Sequence, residues 1–484
     1  MVPQHEIFRS PLPVALDWHD IPTPAHYRDR WNGRELGETL RAWQVQDVGY
    51  EDDPQMPAGV VGRSWGYDDA PDSEFISSGV NTKGPRYAAL GRHGPFFQWG
   101  FSAAPPRMTE AGRRAFVNAI CYIHRFDRQA PLTRKTERHR GWALDRALGL
   151  KNIDRQYAET REWYAERQAL HARAEQAQKA GRDLTEEEQG ALQYPPGTAP
   201  PFEDYQKMLL RGIPDALVER LGVGAEAWPK YLAHYTEHLG YIRHGPSGYE
   251  VDDDARTLGI ANHDPKLLHR AVAMLERGED AERARDLLQR YTGLALGEAA
   301  AWRQWLDMVD GHLFFSDHGG YRFYVDDPAL GAHAEFLTQP GTEPTASAPV
   351  AVDAFAVPAT ARPGTEVQLG VRLRMAYGWH TYAATEGDSP FVATQLEVEL
   401  PDGAEARGDW LMPPPEPYPA DPGAMIYRND VVFVRTIRLP LDIDQAQGLE
   451  LTANVSFQAC DASVCLRPEE VRAAAMVQVR PPSR

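Results

Sequence analysis

The chain has 484 residues, 69 acidic and 51 basic, for a formal net charge of −18. At roughly 150 residues per domain, that length holds about three domains. The acidic balance argues against a nucleic-acid partner, whose phosphate backbone needs a basic face. No apolar run approaches the roughly 18–20 residues that span a bilayer, so no integral membrane segment is expected. Three cysteines are too few for a scaffold built on disulfides.

The opening, MVPQHEIFRSPL, has neither a basic n-region nor an apolar h-region. It does not read as a signal peptide, and taken literally it leaves the chain in the cytoplasm. Residues 1–135 mix strand-like and loop-like pieces. Gly59–Gly62 and Tyr87–Leu90 are short apolar runs with the look of buried strands, and Pro95–Phe101 (PFFQWGF) is aromatic and β-prone. Thr109 is placed to cap a helix whose apolar side is expected to be Phe116, Val117, Ile120 and Ile123. Strands followed by an amphipathic helix point to an α/β layer.

Residues 136–336 read as mainly helical. Asp154 is the expected N-cap of a polar helix running to about Lys179, its charges coating a solvated face. Asp264-Pro265 starts a helix with the stripe Leu267, Leu268, Ala271, Val272 and Leu275. Trp302, Trp305, Leu306 and Val309 form another such stripe. Tyr194–Pro201 is a proline-rich loop, and Gly319-Gly320 turns into the alternating Tyr321, Phe323 and Val325. A linker, rich in Pro, Thr, Ser and Ala, is expected over 337–352. From 353 to 484 the period becomes two: Val367 to Leu373, Leu396 to Leu400, Val432 to Ile437, and most cleanly Leu449, Leu451, Ala453, Val455 and Phe457. With turn signals at Pro401-Asp402-Gly403 and Arg428-Asn429-Asp430, this block reads as a β-sandwich.

Cys460 and Cys465 (CDASVC) lie just past that last strand. Four intervening residues let the chain turn back so that the sulfurs can meet. A structural staple, a redox pair, and an unpaired or metal-binding pair all fit the spacing. The chain-entropy contribution of so short a loop, about 2 kcal/mol, is weak for a staple. An exposed disulfide at a strand end is open to an attacking thiolate, and Asp461 beside Cys460 would raise that thiol's pKa.

Val455–Glu469 (VSFQACDASVCLRPE) resembles the end of the amino-terminal, extracytoplasmic domain of the thiol:disulfide interchange protein DsbD family. In the same order come Gly378-Trp379-His380-Thr381-Tyr382, Glu399-Leu400-Pro401, Trp410–Pro414 and Ile426-Tyr427-Arg428, so the resemblance covers about 355–480. Arg467 stands where the family has a proline, and Tyr418–Ala424 falls where it has a cap loop with a shielding aromatic. The resemblance implies an immunoglobulin-like sandwich whose cysteines cycle between dithiol and disulfide. It implies Trp379, Tyr382, Tyr418 and Tyr427 as supporting or shielding residues. It further implies no cofactor, thioredoxin-like or membrane-reductant partners, and a periplasmic or extracellular location. The chain has no electron-relay domain and no Cys-x-x-Cys thioredoxin motif, so its reductant would be another protein. The alternative is a non-enzymatic extracytoplasmic binding or scaffold protein in which the cysteine pair is a structural disulfide.

The remaining constellations read mostly as structure. His234-Tyr-Thr-Glu237-His238 matches the H-x-x-E-H zinc-peptidase pattern but has no evident third ligand. Asp252-Asp253-Asp254 reads as an acidic helix start, Cys121 as a core cysteine, and Gly91-Arg92-His93-Gly94 as a turn or ligand loop. Tyr87–Phe101, with Met108-Thr109 and Phe116–Ile123, resembles the carboxy-terminal half of ThuA-like proteins, of the class I glutamine amidotransferase-like group. That implies a partial, flavodoxin-like α/β block. No nucleophile-elbow cysteine accompanies it, so amidotransferase activity is not expected. The expected class is therefore multidomain α+β: a partial flavodoxin-like block, a helical middle and an immunoglobulin-like β-sandwich.

Overall fold

The computed structural model describes all residues except 29–32, 34, 48–58, 137, 386–389, 422 and 482–484. In the first block, β1 (Trp18–Pro22) pairs with β2 (Thr39–Trp43). The central strand β5 (Tyr87–His93) pairs with β3 (Gly62–Arg63), β4 (Ser73–Ser78) and β6 (Phe96–Trp99). Every one of these pairings is antiparallel. A flavodoxin-like layer is built on a parallel sheet, so that part of the expectation finds no support among the described strands. A short helix, α1 (Trp65–Asp68), precedes β4, and α2 (Glu110–Ile123) packs against the sheet.

Thr109 caps α2 as expected, its hydroxyl accepting from the Gly112 amide at 3.0 Å. The buried face, however, is Gly112, Ala115, Asn118, Ala119 and Tyr122, while Val117 and Ile120 are 42% and 54% exposed. Close packing of small residues decides this. A Cβ on Gly112 would lie 2.1 Å from the Val45 carbonyl oxygen. The Asn118 amide donates to the Ile7 and Leu12 carbonyls at 2.9 and 2.7 Å, tying down the amino terminus. Cys121, expected in the core, is exposed on the same helix.

The middle block holds α3 (Gly141–Lys151), α4 (Ile153–Lys179), α5 (Glu186–Gln193), α6 (Phe202–Leu209), α7 (Asp215–Leu221) and α8 (Trp228–Glu237). The hairpin β7 (Ile242–Gly245)–β8 (Gly248–Val251) follows, then α9 (Asp253–Leu258), α10 (Lys266–Arg277), α11 (Ala281–Thr292) and α12 (Ala299–Val309). The hairpin β9 (Leu313–Ser316)–β10 (Arg322–Val325) and α13 (Pro328–Thr338) close the block. It has two apolar cores, one around Leu144, Tyr231 and Tyr235, the other around Leu268, Leu287, Trp302 and Leu306. The long helix α4 starts two residues earlier than expected, with Asn152 rather than Asp154 at its N-cap. It buries only Ile153, Leu170, Ala174 and Ala177, as its charge density requires.

Beyond residue 349 the chain is all β. One sheet runs in the order β11 (Val350–Val357), β13 (Glu366–Met375), β19 (Asp430–Arg438), β16 (Glu405–Leu411). A second runs β12 (Thr360–Ala361), β22 (Glu469–Val479), β20 (Gln447–Phe457), β15 (Gln395–Glu399). Their inner faces share one core: Val367, Leu369, Val371 and Leu373 meet Leu451, Ala453, Val455 and Phe457. A smaller sheet, β17 (Glu416–Pro417), β18 (Met425–Arg428), β14 (His380–Ala384), β21 (Ala459–Cys460), carries the first cysteine of the pair. This is the expected immunoglobulin-like sandwich.

The β13 strand is buried on both faces because α13 covers the outer one. Phe336 and Ala332 pack on Val432, Val434 and Phe355. Gly370 makes room, since a Cβ there would lie 2.4 Å from the Phe336 ring. Arg372, fully buried, donates to the carbonyls of Phe336 (3.2 Å) and Gln339 (2.7 Å) at the carboxyl end of α13, where a cation is favoured.

Candidate functional site

The alternation of β20 ends at Phe457 in the core, and Gln458 then redirects the chain. The Gln458 amide donates to the Leu466 carbonyl (2.9 Å) and accepts from the Val392 amide (3.1 Å). Cys460 pairs with His380 across the small sheet. Asp461 closes the following turn, its carboxylate accepting from the amides of Ser463 (2.6 Å) and Val464 (2.7 Å). The Leu466 amide returns to the Ala459 carbonyl at 2.8 Å. This turn sets Cys465 against Cys460, and the two are joined as a disulfide.

The two sulfurs have unequal surroundings. Cys460 is 1% exposed among Tyr382, Ala424 and Ile426, whereas Cys465 is half-buried and lines an open cleft of about 520 Å³. The cleft is walled by Tyr382, Phe391 and Tyr418, and by the turn 461–464. Tyr382 and Phe391 stack at 4.7 Å between centroids, and Tyr418 lies 4.5 Å from the His380 ring. The loop Tyr418–Ala424 therefore does bring an aromatic to the pair; its Pro422 lies outside the described residues. Of the other two expected supporting residues, Tyr427 packs on Phe433, and Trp379 packs against the sandwich core. Both belong to the layer beneath the site.

Two residues that the sequence reading left out belong to this neighbourhood. Phe391 had no signal, because only the fold stacks it on Tyr382. His380 had one: it alternates with Tyr382 on one strand, so the two side chains share a face. As direct ladder partner of Cys460, it also projects to the cysteine's side of the sheet. Its side chain is buried with Nε2 unpartnered. Burial first, and then Arg428, hold its pKa below the ordinary imidazole value. The amides of Ser463 and Val464 hold the Asp461 carboxyl below the usual carboxylate range, so it stays charged beside Cys460. Burial pushes the Tyr427 hydroxyl up to about 12.

The other constellations take part in packing and ion pairing, and Gly91-Arg92-His93, expected as a turn or ligand loop, lies on strand β5. His234 sits on α8 with its ring 5.0 Å from that of His238, and burial lowers its pKa to about 4. Among the described residues no group of three or more His, Cys, Asp or Glu is arranged to hold a metal. Asp252 caps α9, accepting from the amides of Asp254 and Ala255, and pairs with Arg290 at 2.6 Å. Arg92 is buried in an ion pair with Glu74 (2.9 Å), which also accepts from Tyr122 (2.6 Å). Among the described residues no helix is long and apolar enough to cross a membrane.

A sandwich of two four-stranded sheets with a third small sheet carrying a disulfide turn defines an immunoglobulin-like domain with an accessible cysteine pair. Residues 346–476 match the family model of the thiol:disulfide interchange protein DsbD, N-terminal. The carboxy-terminal domain is thus a DsbD N-terminal-like domain. The match does not extend to the first block, and it lends the ThuA-like resemblance no support. Among solved structures, the N-terminal periplasmic domain of ScsB from Proteus mirabilis aligns at 20% identity, covering 26% of this chain and 44% of that one, with a TM-score of 0.18. The N-terminal domain of DsbD from Neisseria meningitidis in the reduced form aligns at 14% identity, over 25% and 81%, with a TM-score of 0.12. The major pilin subunit BcpA of Bacillus cereus aligns at 9% identity, over 41% of its length, with a TM-score of 0.19. The chain spans less than half the length of the first of these structures. No curated protein matches the chain.

Proposed function

We propose that the carboxy-terminal sandwich performs thiol:disulfide interchange through Cys460 and Cys465, passing electrons between partner proteins. The observation that carries this reading is the asymmetry of the pair: one sulfur buried, the other on an open cleft. A partner thiolate attacks Sγ of Cys465 and forms a mixed disulfide, while Sγ of Cys460 leaves as a thiolate. The partner's second thiolate then attacks its own sulfur in the mixed disulfide. The partner leaves oxidised, and Cys465 leaves as a thiolate, so two electrons have entered the pair. The same steps reversed pass them to a downstream disulfide.

In this reading Tyr382 and Tyr418, with Phe391, shield the pair from unselective thiols, and Trp379 and Tyr427 support them from the core side. No cofactor takes part, and the partners are thioredoxin-like proteins or a membrane reductant. The domain works outside the cytoplasm, in the periplasm or its equivalent, where disulfides persist. The chain divides into a first block (1–135), a helical region, a connecting segment and the sandwich; the segment expected over 337–352 is shorter, since α13 runs to Thr338 and the first sandwich strand begins at Val350.

The reduction potential of the pair in the full chain tests this, measured by equilibration with glutathione or dithiothreitol buffers. A value of roughly −120 to −270 mV marks an exchanging couple, and one below about −300 mV marks a structural staple and overturns the proposal. In parallel, Cys460→Ser with Cys465→Ser abolishes exchange with a thioredoxin-like partner while leaving the fold intact.

A further inference from the structure

Three pairings set four residues in one row across the small sheet and its turn. Arg428 on β18 lies opposite His380 on β14, His380 opposite Cys460 on β21, and Cys460 opposite Cys465. Directly opposed residues share a face, with Cβ atoms about 4.5–5.5 Å apart. His380 and Cys465 therefore flank Cys460 from its two sides. His380 is 2% exposed, its ring 4.5 Å from that of Tyr418 and 5.5 Å from that of Tyr382. Its Nε2 is buried and has no hydrogen-bond partner among the described residues. Such atoms are rare in folded proteins, and each needs an explanation. The state of the pair supplies one: a disulfide sulfur has no proton to give, whereas the reduced Cys460 is a thiol and a donor.

When the reduced pair hands its electrons on, Cys465 is first joined to the partner, and Cys460 must then attack as a thiolate. A thiol enclosed by Tyr382, Ala424 and Ile426, with the Asp461 carboxylate beside it, resists ionising. The charged and titratable groups facing His380 are Arg428 from β18, Tyr382 from its own strand, Tyr418 from the cap loop and Asp461 from the turn. A guanidinium accepts no proton. Burial pushes the Tyr382 hydroxyl up, so it stays protonated. Asp461, bound by the amides of Ser463 and Val464, is a weaker base than an ordinary carboxylate. Burial and Arg428 hold the imidazole neutral, which leaves it a lone pair at neutral pH.

We propose that His380 is the base that takes the proton from the Cys460 thiol as that residue closes the disulfide; the role rests on the pair exchanging as described above. The Sγ–H proton of Cys460 passes to the imidazole, and the sulfur's electron pair forms the bond to Sγ of Cys465. The bond from Cys465 to the partner breaks, and the partner's sulfur leaves as a thiolate. The pair is then oxidised, the partner has gained two electrons in all, and the imidazolium returns its proton to water. The proton is taken on one side of Cys460 and the new bond forms on the other, as the row of four residues requires.

The test uses the reduced full chain with Cys121→Ser, which removes the exposed free thiol. It is mixed with one equivalent of dithiobis(nitrobenzoate), whose two thionitrobenzoate groups are released in turn. The first release reports attack by Cys465, and the second reports closure by Cys460. His380→Gln is expected to slow the second release by at least about tenfold at pH 7 and to leave the first within about twofold. His380→Phe, which keeps a ring against Tyr418, does the same. With His380 present, the second rate rises with pH only up to the imidazole pKa, below 6.5, and is flat from there to about pH 7.5. In the variants it climbs about tenfold per pH unit throughout, as an unaided thiol does. If neither variant folds, the profile of the chain with His380 decides. The proposal is overturned if the variants release the second group as fast as the parent. It is equally overturned if the parent's second rate climbs past pH 8 without a plateau; in both cases the exchange reading stands. Release that stops after the first group in the parent overturns both.

Discussion

The contact between α13 and the sandwich is apolar and closed by one buried guanidinium. The contact between the helical block and the first block is polar and leaves a cleft. At the first junction Phe336 fills the space above Gly370, and Arg372 satisfies the end of the helix. At the second, the Ser316 hydroxyl and the His318 amide donate to Asp69 at 2.8 and 3.2 Å, and Arg63 reaches Asp145 at 3.4 Å. Behind the joint, on the helical side, Arg140 bonds Asp317 at 2.7 Å, the Leu239 carbonyl at 3.0 Å and Asn262 at 3.1 Å. An apolar contact rewards close fit and leaves no room, whereas a polar one is built from directional bonds whose spacing leaves gaps. The first kind of joint is held by fit, the second by a set of charged and polar bonds.

The contrast can be broken by substitution. Asp317→Asn is expected to cost most, about 3–5 kcal/mol, because it leaves the Arg140 charge buried without its counter-ion. Burial alone would raise the Asp317 pKa, but the bonds and charge of Arg140 more than reverse this and hold it below the ordinary value. Its contribution is therefore present above the unfolded carboxyl pKa and lost as pH falls through the lower folded one. Urea denaturation across the acid range should show that loss in the wild type and not in the variant. Arg372→Met comes next, at about 2–3 kcal/mol, since the carbonyls of Phe336 and Gln339 lose their donor while the methionine keeps the volume. The same denaturation at pH 7 reads it. Gly370→Ala should cost about 2 kcal/mol by crowding Phe336, and Phe336→Leu in the same chain should restore part of it.

The smallest effect is a pH slope. His333 on α13 is fully buried, with both ring nitrogens unpartnered, and burial lowers its pKa to about 4. Its neutral form is the one that folds, so its contribution is whole above the unfolded value near 6.5 and falls as pH drops toward 4. Between pH 7.5 and 5.5 the wild type should lose about 1.4 kcal/mol that His333→Leu does not. His139, which burial also holds near 4, titrates in the same window at the polar junction and is untouched by that variant.

The sandwich was legible in the sequence because its period-two runs are long and bury one face: Leu451, Ala453, Val455 and Phe457 all enter the core. The cysteine turn was legible because Asp461 and the spacing act locally. The apolar side of α2 was not, because Gly112, Ala115 and Asn118 are buried by tight approach and hydrogen bonding rather than by hydrophobicity. Phe391 escaped for a related reason: its place beside the disulfide follows from ring stacking, which leaves no period in the sequence. His380 does alternate with Tyr382, but its pairing with Cys460 across the small sheet is set by the fold.

The cover that α13 places over β13 and β19 also bears on where the sandwich can be cut free. The family match begins at residue 346, after that helix has ended. A fragment starting there would present Phe355, Val432 and Val434 to water, and would strip the Arg372 guanidinium of the carbonyls that hold it. The other face of α13 buries Leu330 and Ala334 in the core of the helical block, so a cut on either side of the helix exposes apolar surface, and the inherited module is not bounded where the packing is.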